Sequence, residues 1–253
     1  MSTSNDLVHF VYGEPRPLDT DGKFARYFAG RTAIVSIDMH DGHLSEDPDC
    51  PCPAPRGRDI IDSVDEFHRA ARAAGIPVIH VRSELRPSGA DDLRGQSPSA
   101  WRLTFTEHVG EIPGVAEHAL SGSRWTTLST QVEPTDEIVT GKKRLSAFYP
   151  TDLDFLLRQM SVTTVVLDGI MADCCVLNTA FDASNLGYRV IVARDLVRGT
   201  DQKLERAALD IMSLHLGLVM DAADLRSIWA DTEPSSGAAA AARDRLQPLA
   251  PRR

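Results

Sequence analysis

Short apolar runs alternate with amphipathic stretches along most of the chain. The apolar runs lie at residues 32–37, 76–81, 137–140, 163–167, 189–193 and 217–220. They are almost wholly apolar, which is typical of strands buried on both faces of a parallel sheet. Helical spacing of apolar residues occurs at 58–74, 151–160, 174–186, 202–214 and near Trp229. This alternation predicts an α/β fold, a three-layer α/β/α sandwich around a doubly wound, mostly parallel sheet.

The two ends of the chain lack this pattern. Residues 1–30 mix Pro, Gly, charged and scattered aromatic residues without sustained periodicity. We therefore expect an N-terminal extension that packs onto the domain or onto a partner subunit. Residues 233–253 are low in complexity and predict a flexible C-terminal tail. Residues 31–232 are then expected to form a single domain.

Composition narrows the class of protein. The 253 residues are 42% apolar and 25% charged, which are values typical of a globular protein. The net charge of -9 argues against nucleic acid or an anionic membrane as the main partner, because both would repel the protein. No apolar run approaches the roughly 18 residues that span a bilayer, and the first residues do not read as a signal peptide. Four cysteines are too few for a disulfide framework, so a cytoplasmic location is expected.

Reactive side chains follow three of the predicted strands. Asp38 comes directly after the run 32–37, Lys142 comes two residues after 137–140, and Cys174 and Cys175 open the helix that follows 163–167. Open parallel sheets bind ligands beyond the carboxyl ends of their strands. A carboxylate, an amine and a thiol are therefore expected to meet at one edge of the sheet.

These three groups together suit nucleophilic catalysis by a thiol. A nearby ammonium and a helix start would lower the thiol pKa from about 8.5. A carboxylate can take the thiol proton and later give it to a leaving amine, while amide groups at the helix start bind a developing oxyanion. The arrangement predicts acyl transfer from an amide through a thioester. The sequence contains no serine nucleophile elbow or phosphate-binding glycine loop that would favour another chemistry.

Three segments carry a resemblance to a known family. They are IVSIDMHDGH at 34–43, KKRLSAFYPTDL at 142–153 and LDGIMADCCVLNTAFDASNLGYRVIVARDL at 167–196. In order and spacing they resemble the isochorismatase-like cysteine hydrolase superfamily, over about residues 30–225. That superfamily includes nicotinamidases, N-carbamoylsarcosine amidases and ureidoacrylate amidohydrolases.

The resemblance implies a role for each matching residue. Asp38 would be the base and acid, Lys142 the activating cation and Cys175 the nucleophile. It also implies a cis peptide bond at Ile170–Met171 that aims the Met171 and Cys175 amides as an oxyanion hole. Lys143 is the alternative to Lys142 if the alignment slips by one residue.

Substrate contacts are less sharply indicated. The family usually has Gln two positions after its Asp, whereas this chain has His40, which we expect to contact the substrate. Phe148 and Tyr149 are candidates for a pocket wall. The rest of the pocket is expected from the long loops at 42–56 and 82–113.

A metal site is an alternative that the sequence leaves open. His40, His43, Cys50 and Cys52 are residue types that zinc accepts. The nicotinamidases of the resembled family hold a metal beside their catalytic groups, but their Asp-x-His motif is absent at 81–89, where this chain reads VRSELRPSG. We therefore expect no metal and no cofactor.

The combined prediction is a cysteine hydrolase that cleaves the C–N bond of a small amide, carbamoyl or ureido substrate and releases ammonia or an amine. The alternatives are a metal-containing, nicotinamidase-like amidase and a non-catalytic binding or assembly member of the family. The resemblance also implies a homodimer or homotetramer.

Overall fold

The computed structural model describes residues 7–92 and 101–231; the predicted C-terminal tail, residues 233–253, lies outside the described residues. The strands are β1 Val8–Val11, β2 Glu14–Pro17, β3 Arg31–Ile37, β4 Val78–Ser83, β5 Glu137–Lys142, β6 Val162–Ile170, β7 Arg189–Arg198 and β8 Gly217–Met220. The helices are α1 Ala25–Phe28, α2 Asp41–Leu44, α3 Pro55–Arg58, α4 Ile61–Ala73, α5 Trp101–Val109, α6 Leu153–Gln159, α7 Leu177–Asn185, α8 Gln202–His215 and α9 Ala222–Asp231.

Within the described residues the strands form one sheet in the order β2-β1-β8-β7-β6-β3-β4-β5. Strands β3 to β8 run parallel to one another, whereas β1 pairs antiparallel with β2 and β8. From β3 the chain builds outward through β4 and β5, then returns to the other side of β3 with β6. The strand order thus reverses between β3 and β6, and open α/β sheets form their ligand crevice at such a reversal. The predicted doubly wound sheet is confirmed.

Apolar side chains pack on both faces of this sheet. Along β3, Ala33, Val35 and Ile37 belong to one buried cluster and Ile34 belongs to the other, because successive strand residues point to opposite faces. Helices α6, α7 and α8 cover the first face, and α4 and α9 cover the second. These are the three layers of the predicted α/β/α sandwich. Among the described residues, no helix is both long enough and apolar enough to cross a membrane.

The predicted N-terminal extension contains a β-hairpin that the sequence pattern does not indicate. Strand β1 pairs with β2 and, through Phe10 opposite Val219, with β8. Tyr12 and Gly13 at the turn have positive φ angles of 52° and 77°, and this combination matches a tight hairpin to the twist of its strands. Each strand has only four residues, so a period of two has no length in which to emerge.

Most predicted elements occur within a few residues of their predicted bounds, and the largest difference is in β7. This strand was expected to end at Ala193 and continues to Arg198. Its register against β6 shifts, since Leu167 pairs with Val192 whereas Gly169 pairs with Val197. The bulged residues interrupt the apolar run, so the second half of the strand is not visible as a strand in the sequence.

Candidate active site

Asp38 directly follows β3, at the reversal point of the sheet. Its φ angle is +53°, a left-handed conformation that Asp and Asn adopt more readily than other residues with a side chain. The carboxylate is fully buried, and its Oδ1 accepts hydrogen bonds from the Ser83 amide at 2.9 Å and the Ser83 hydroxyl at 3.1 Å. The turn therefore holds a carboxylate at the carboxyl ends of β3 and β4.

Lys142, the last residue of β5, reaches the same place. Its side chain is 2% exposed, and its Nζ donates to Asp38 Oδ2 at 2.6 Å, to Ser83 Oγ at 2.8 Å and to Cys175 Sγ at 3.4 Å. An ammonium has three N–H groups, so these three acceptors satisfy it. The structure thus brings the predicted carboxylate, amine and thiol together around one nitrogen atom.

Lys143, the alternative to Lys142, contacts a different set of groups. Its Nζ lies 2.9 Å from Asp91 Oδ2 and donates to the Glu84 carbonyl. Backbone alternation turns the two lysines away from each other. The one-residue slip in the alignment therefore has no support from the geometry.

Cys175 lies in a single π-helical turn, Ala172–Val176, between β6 and α7. The peptide bond Ile170–Met171 is cis, as the resemblance implies. The Met171 carbonyl accepts hydrogen bonds from the amides of Cys174 at 3.0 Å and Val176 at 3.1 Å, the two neighbours of Cys175. Turns of this type occur frequently at functional sites. The role of the Met171 and Cys175 amides as an oxyanion hole stays a prediction.

Mutual attraction keeps Asp38 and Lys142 charged inside the protein. Burial acts to raise the pKa of Asp38, but Lys142 outweighs it and the pKa of this carboxyl lies well below its usual value. Burial acts to lower the pKa of Lys142, but Asp38 and Cys175 outweigh it and hold the pKa of the ammonium above its usual value. The pair is therefore an ion pair at neutral pH.

The thiol differs from the sequence-based expectation. The Cys174 thiol, whose sulfur lies 4.0 Å away, and burial raise the pKa of Cys175, and Lys142 only opposes this rise. The expected lowering of the pKa in the resting site is therefore wrong. A thiol with a raised pKa needs a base that takes its proton when it attacks a substrate.

Ser83 is a site residue that the sequence reasoning missed. It is the last residue of β4, it donates twice to Asp38, and its hydroxyl accepts from Lys142. Its place at the end of β4 is the signal that could have indicated it. The predicted strand at 76–81 ends two residues before Ser83, so this signal was missed. A serine beside an ion pair at that edge is suited to orienting both charges.

A cavity of about 290 Å³ opens onto these groups. This is close to the lower end of the range for small-molecule sites. It is lined by His43, Cys52, Ser83, Leu85, Asp92, Phe105, His118, Lys142, Lys143, Arg144, Leu145, Met171, Asp173, Cys174, Cys175 and Thr200. The predicted pocket loops at 42–56 and 82–113 supply part of this lining, and strand ends supply much of the remainder.

Comparison with known proteins identifies the family of this chain. Residues 32–224 match the Isochorismatase domain. The chain belongs to the isochorismatase family. The matched region begins in β3 and ends in α9, so it includes every strand that contributes to the site and excludes the N-terminal hairpin.

Several isochorismatase-family relatives are similar in sequence or structure. The N-carbamoylsarcosine amidase of Arthrobacter sp is 29% identical over 175 residues, 67% of this chain and 60% of that protein. Ureidoacrylate amidohydrolase RutB of Methylobacterium radiotolerans is 34% identical over 172 residues, 66% of each protein. An isochorismatase-like hydrolase from Alkaliphilus metalliredigens has a TM-score of 0.65 at 25% identity, covering 79% of this chain and 99% of that one. The matches span less than two thirds of the first two relatives.

The three predicted substrate contacts lie elsewhere than the cavity wall. The His40 side chain is fully buried, with Nδ1 2.9 Å from the Trp125 carbonyl oxygen and Nε2 3.8 Å from Asp38 Oδ1. Phe148 stacks on Tyr188 with ring centroids 6.0 Å apart, and Tyr149 is 60% exposed. None of the three is among the described residues that line the cavity. The structure therefore gives their assignment as substrate contacts no support.

The zinc-compatible residues at 40–52 separate into two groups. His43 and Cys52 line the cavity, together with His118 from the segment between β4 and β5. Cys50 instead donates from its Sγ to the Gly42 carbonyl at 3.4 Å. All four cysteines of the chain, which lie within the described residues, are free thiols.

Proposed function

We propose that this protein is a cysteine hydrolase that cleaves the C–N bond of a small amide, carbamoyl or ureido compound. The observation that carries the proposal is Lys142 Nζ, which contacts both a buried carboxylate at 2.6 Å and a buried thiol at 3.4 Å on the wall of a cavity. The names of the two sequence relatives, an amidase and an amidohydrolase, support the same bond type.

In the proposed reaction Cys175 Sγ attacks the carbonyl carbon and its proton passes to Asp38. The tetrahedral oxyanion is bound by the Met171 and Cys175 amides. The C–N bond then breaks, and ammonia or an amine leaves with the proton from Asp38. Water cleaves the resulting thioester, and the thiol regains a proton. Throughout the reaction the Lys142 ammonium contacts both Asp38 and Cys175 and compensates the negative charge on either group.

The raised pKa of Cys175 is consistent with this sequence of steps. A protonated thiol that shares the Lys142 ammonium with an ionised carboxylate forms a thiolate only as the proton moves, so attack and proton transfer are proposed to occur together. A permanently ionised thiol would not need Asp38 at this step. The carboxylate is therefore expected to be essential in spite of its low pKa.

The test is ammonia release from a panel of N-carbamoyl amino acids, ureido acids and primary amides. The wild type is expected to turn over at least one class, and Cys175→Ala is expected to lose about a thousand-fold or more in kcat. Cys50→Ala is the matched control, because it removes a buried thiol that does not line the cavity. Equal ammonia release by the wild type and Cys175→Ala would refute the proposal.

A second readout separates catalysis from mere binding. Mass spectrometry of enzyme quenched during turnover is expected to find the acyl group on Cys175, and Cys174→Ala is expected to form the same adduct. Modification of Cys175 by iodoacetamide, which consumes the thiolate, is expected to be slow at neutral pH, to accelerate as pH rises and to be blocked by the substrate. A protein that binds a panel compound without an adduct and without ammonia release would instead be a non-catalytic member of the family.

A further inference from the structure

Three side chains from separate parts of the chain converge on one wall of the cavity. His43 belongs to α2, Cys52 to the loop before α3, and His118 to the segment between β4 and β5. One donor atom from each lies within 4.8 Å of the other two. His43 and Cys52 are buried and His118 is partly buried. The proposed thioester chemistry uses none of the three.

The ring of His43 is held in the orientation that a metal ligand needs. Its Nδ1–H donates to the Cys52 carbonyl at 2.8 Å, which leaves Nε2 as the nitrogen with a lone pair. Metal-binding histidines usually donate their other ring N–H to a carbonyl or carboxylate in this way. The ring also packs against His40, with centroids 4.6 Å apart, and edge-on against His118 at 5.3 Å.

Two imidazole nitrogens and a sulfur form a donor set that suits zinc. Tetrahedral zinc, with bonds of about 2.1 Å to nitrogen and 2.3 Å to sulfur, holds its donor atoms roughly 3.3–3.7 Å apart. The three donors here are therefore within about an ångström of binding geometry. His and Cys also favour zinc over magnesium or calcium, which prefer oxygen.

We propose that His43, Cys52 and His118 bind one zinc ion, whose fourth position is open to the cavity. Three protein ligands with an open position are the arrangement of zinc sites that bind water or substrate. On binding, the Cys52 thiol releases its proton to solvent and the sulfur bonds to the metal.

The proposed site differs from the sequence-based expectation in two ways. The sequence favours no metal, and its candidate ligands are His40, His43, Cys50 and Cys52. The geometry retains His43 and Cys52 and adds His118, whereas His40 Nδ1 faces the Trp125 carbonyl and Cys50 donates to Gly42. The segment 81–89, where the resembled nicotinamidases carry a metal motif, contributes no residue to this cluster.

Metal binding can be measured without any substrate. Protein purified without an affinity tag and stripped with a chelator is titrated calorimetrically with zinc chloride, and its absorption is recorded with cobalt chloride. One zinc per chain and a thiolate-to-cobalt charge-transfer band in the near ultraviolet are expected. A wild type that binds neither metal stoichiometrically would overturn the proposal.

Variants assign the ligands. Cys52→Ala and His118→Ala are each expected to weaken zinc binding by about a hundred-fold or more, since even residues behind the ligands contribute 10–100-fold. Cys50→Ala, two positions away and equally buried, is the matched control and is expected to keep the cobalt band. Circular dichroism verifies the fold of each variant. If Cys52→Ala does not fold, His118→Ala carries the test, because His118 is the least buried of the three ligands.

The catalytic thiol provides the decisive comparison. Cys175→Ala is expected to bind zinc and cobalt as the wild type does, because Cys175 is outside the ligand set. Loss of the cobalt band in Cys175→Ala, with retention in Cys52→Ala, would place the metal on the nucleophile and overturn the proposal. Because this readout uses an enzyme without its nucleophile, it is independent of the proposed hydrolase activity.

Discussion

Lys142 carries a full charge into the protein interior, where an ammonium loses most of its hydration. Such burial costs several kcal/mol unless partners replace the water. Asp38 supplies the opposite charge at 2.6 Å, and Ser83 and Cys175 supply the two remaining acceptors. The ion pair is therefore a structural element of the molecule as well as part of the proposed chemistry.

Removal of the Lys142 charge is expected to destabilise the fold. In Lys142→Met the carboxylate of Asp38 stays buried without its counter-charge, so the free energy of unfolding at pH 7 should fall by about 3–5 kcal/mol. Lys143→Met is the matched control, because its ion pair with Asp91 lies nearer the surface and should contribute about 1 kcal/mol or less. Urea denaturation followed by circular dichroism measures both. Similar losses in the two variants would contradict the expectation.

Asp38, Lys142 and Cys175 could be located from sequence, and Ser83 and His118 could not. The first three follow recognisable apolar runs, and parallel strands bring their carboxyl ends to one edge. His118 lies in a segment with no periodic pattern, and it meets His43 and Cys52 only because that segment folds back over the cavity. Loop paths of this kind depend on long-range packing, which a local pattern does not encode.

At the scale of elements, strands β3 and β6 approach closely beside the site. Gly169 in β6 has a φ angle of +104°, and a Cβ atom there would lie 2.2 Å from the Ile37 carbonyl oxygen. Both the conformation and the space therefore require glycine. The absence of a side chain allows β6 to stay paired with β3 up to the residue before Asp38.

Gly169→Ala is expected to lower the free energy of unfolding far more than Gly187→Ala. Both residues have positive φ, at +104° and +90°, but a Cβ at Gly187 would meet no atom within 4 Å. Gly187→Ala should therefore cost only the conformational penalty of about 1–2 kcal/mol, whereas Gly169→Ala adds a backbone clash. Urea midpoints, or soluble yield if Gly169→Ala does not fold, give the comparison. Equal losses of unfolding free energy in the two variants would contradict a destabilising clash between β6 and β3.

A buried carboxylate connects β5, β4 and α4. Asp136, just before β5, accepts from Arg72 at 2.7 and 2.9 Å and lies 3.2 Å from His80 Nε2. Burial acts to raise the pKa of Asp136, but the hydrogen bonds from Arg72 and the Glu133 amide outweigh it and lower the pKa. The ionised form is therefore the one that stabilises the fold.

The stabilisation by Asp136 is expected to depend on pH. A carboxyl whose pKa is lowered by folding stabilises fully above its unfolded pKa of about 3.9 and loses this contribution as pH falls through the folded value. Asp136→Asn should cost about 1–3 kcal/mol at pH 7, and the difference from the wild type should shrink below about pH 4. Asp62→Asn, an exposed acid on α4, is the control. A difference that grows on acidification would contradict this account.

Element types were predictable wherever an apolar run or a helical period was long enough. The six parallel strands and the helices that cover the sheet follow this rule. The bulged end of β7 and the hairpin β1–β2 do not, because a bulge breaks the apolar run and four-residue strands are too short to show a period. The turn at Tyr12–Gly13 determines the hairpin, and Gly13 alone is a weak signal for it.

At the scale of the molecule, the hairpin lies at the edge of the sheet beside β8, and the site lies at β3 to β6. Its outer strand β2 contains Pro15 and Pro17, which have no N–H to offer to another strand. Phe10 of β1 packs under the Arg194 guanidinium, 3.6 Å from the ring centroid. The hairpin therefore closes an edge that would otherwise be able to pair with a second chain.

Removal of residues 1–17 is expected to promote self-association without disturbing the site. The deletion exposes β8 as an edge strand, so light scattering should detect higher-order species at concentrations where the full chain shows none. The thermal midpoint should fall by about 5 °C or more. The rate of Cys175 alkylation should stay near that of the full chain. Phe10→Ala should cause a smaller rise in light scattering and a smaller fall in the thermal midpoint than the deletion does. Unchanged light scattering and an unchanged midpoint would contradict a protective role.

The architecture as a whole was predictable because sequence order, parallel pairing and right-handed crossovers leave few arrangements for alternating strands and helices. The position of the site was predictable because reactive residues directly follow several strands, and parallel strands bring their carboxyl ends to one edge of the sheet. The wall of the cavity was not predictable, since it is assembled from many separate parts of the chain.

The turn after β3 limits which residues can replace Asp38. A φ angle of +53° at position 38 restricts the backbone to Gly, Asn and Asp as comfortable occupants. The ammonium beneath it separately demands an anion. Only Asp meets both conditions. Asp38→Asn removes the charge while preserving the peptide path, Asp38→Glu keeps the charge but disfavours the peptide path, and Asp38→Ala loses both. Directed evolution toward a different side chain at this place would first have to rebuild the turn.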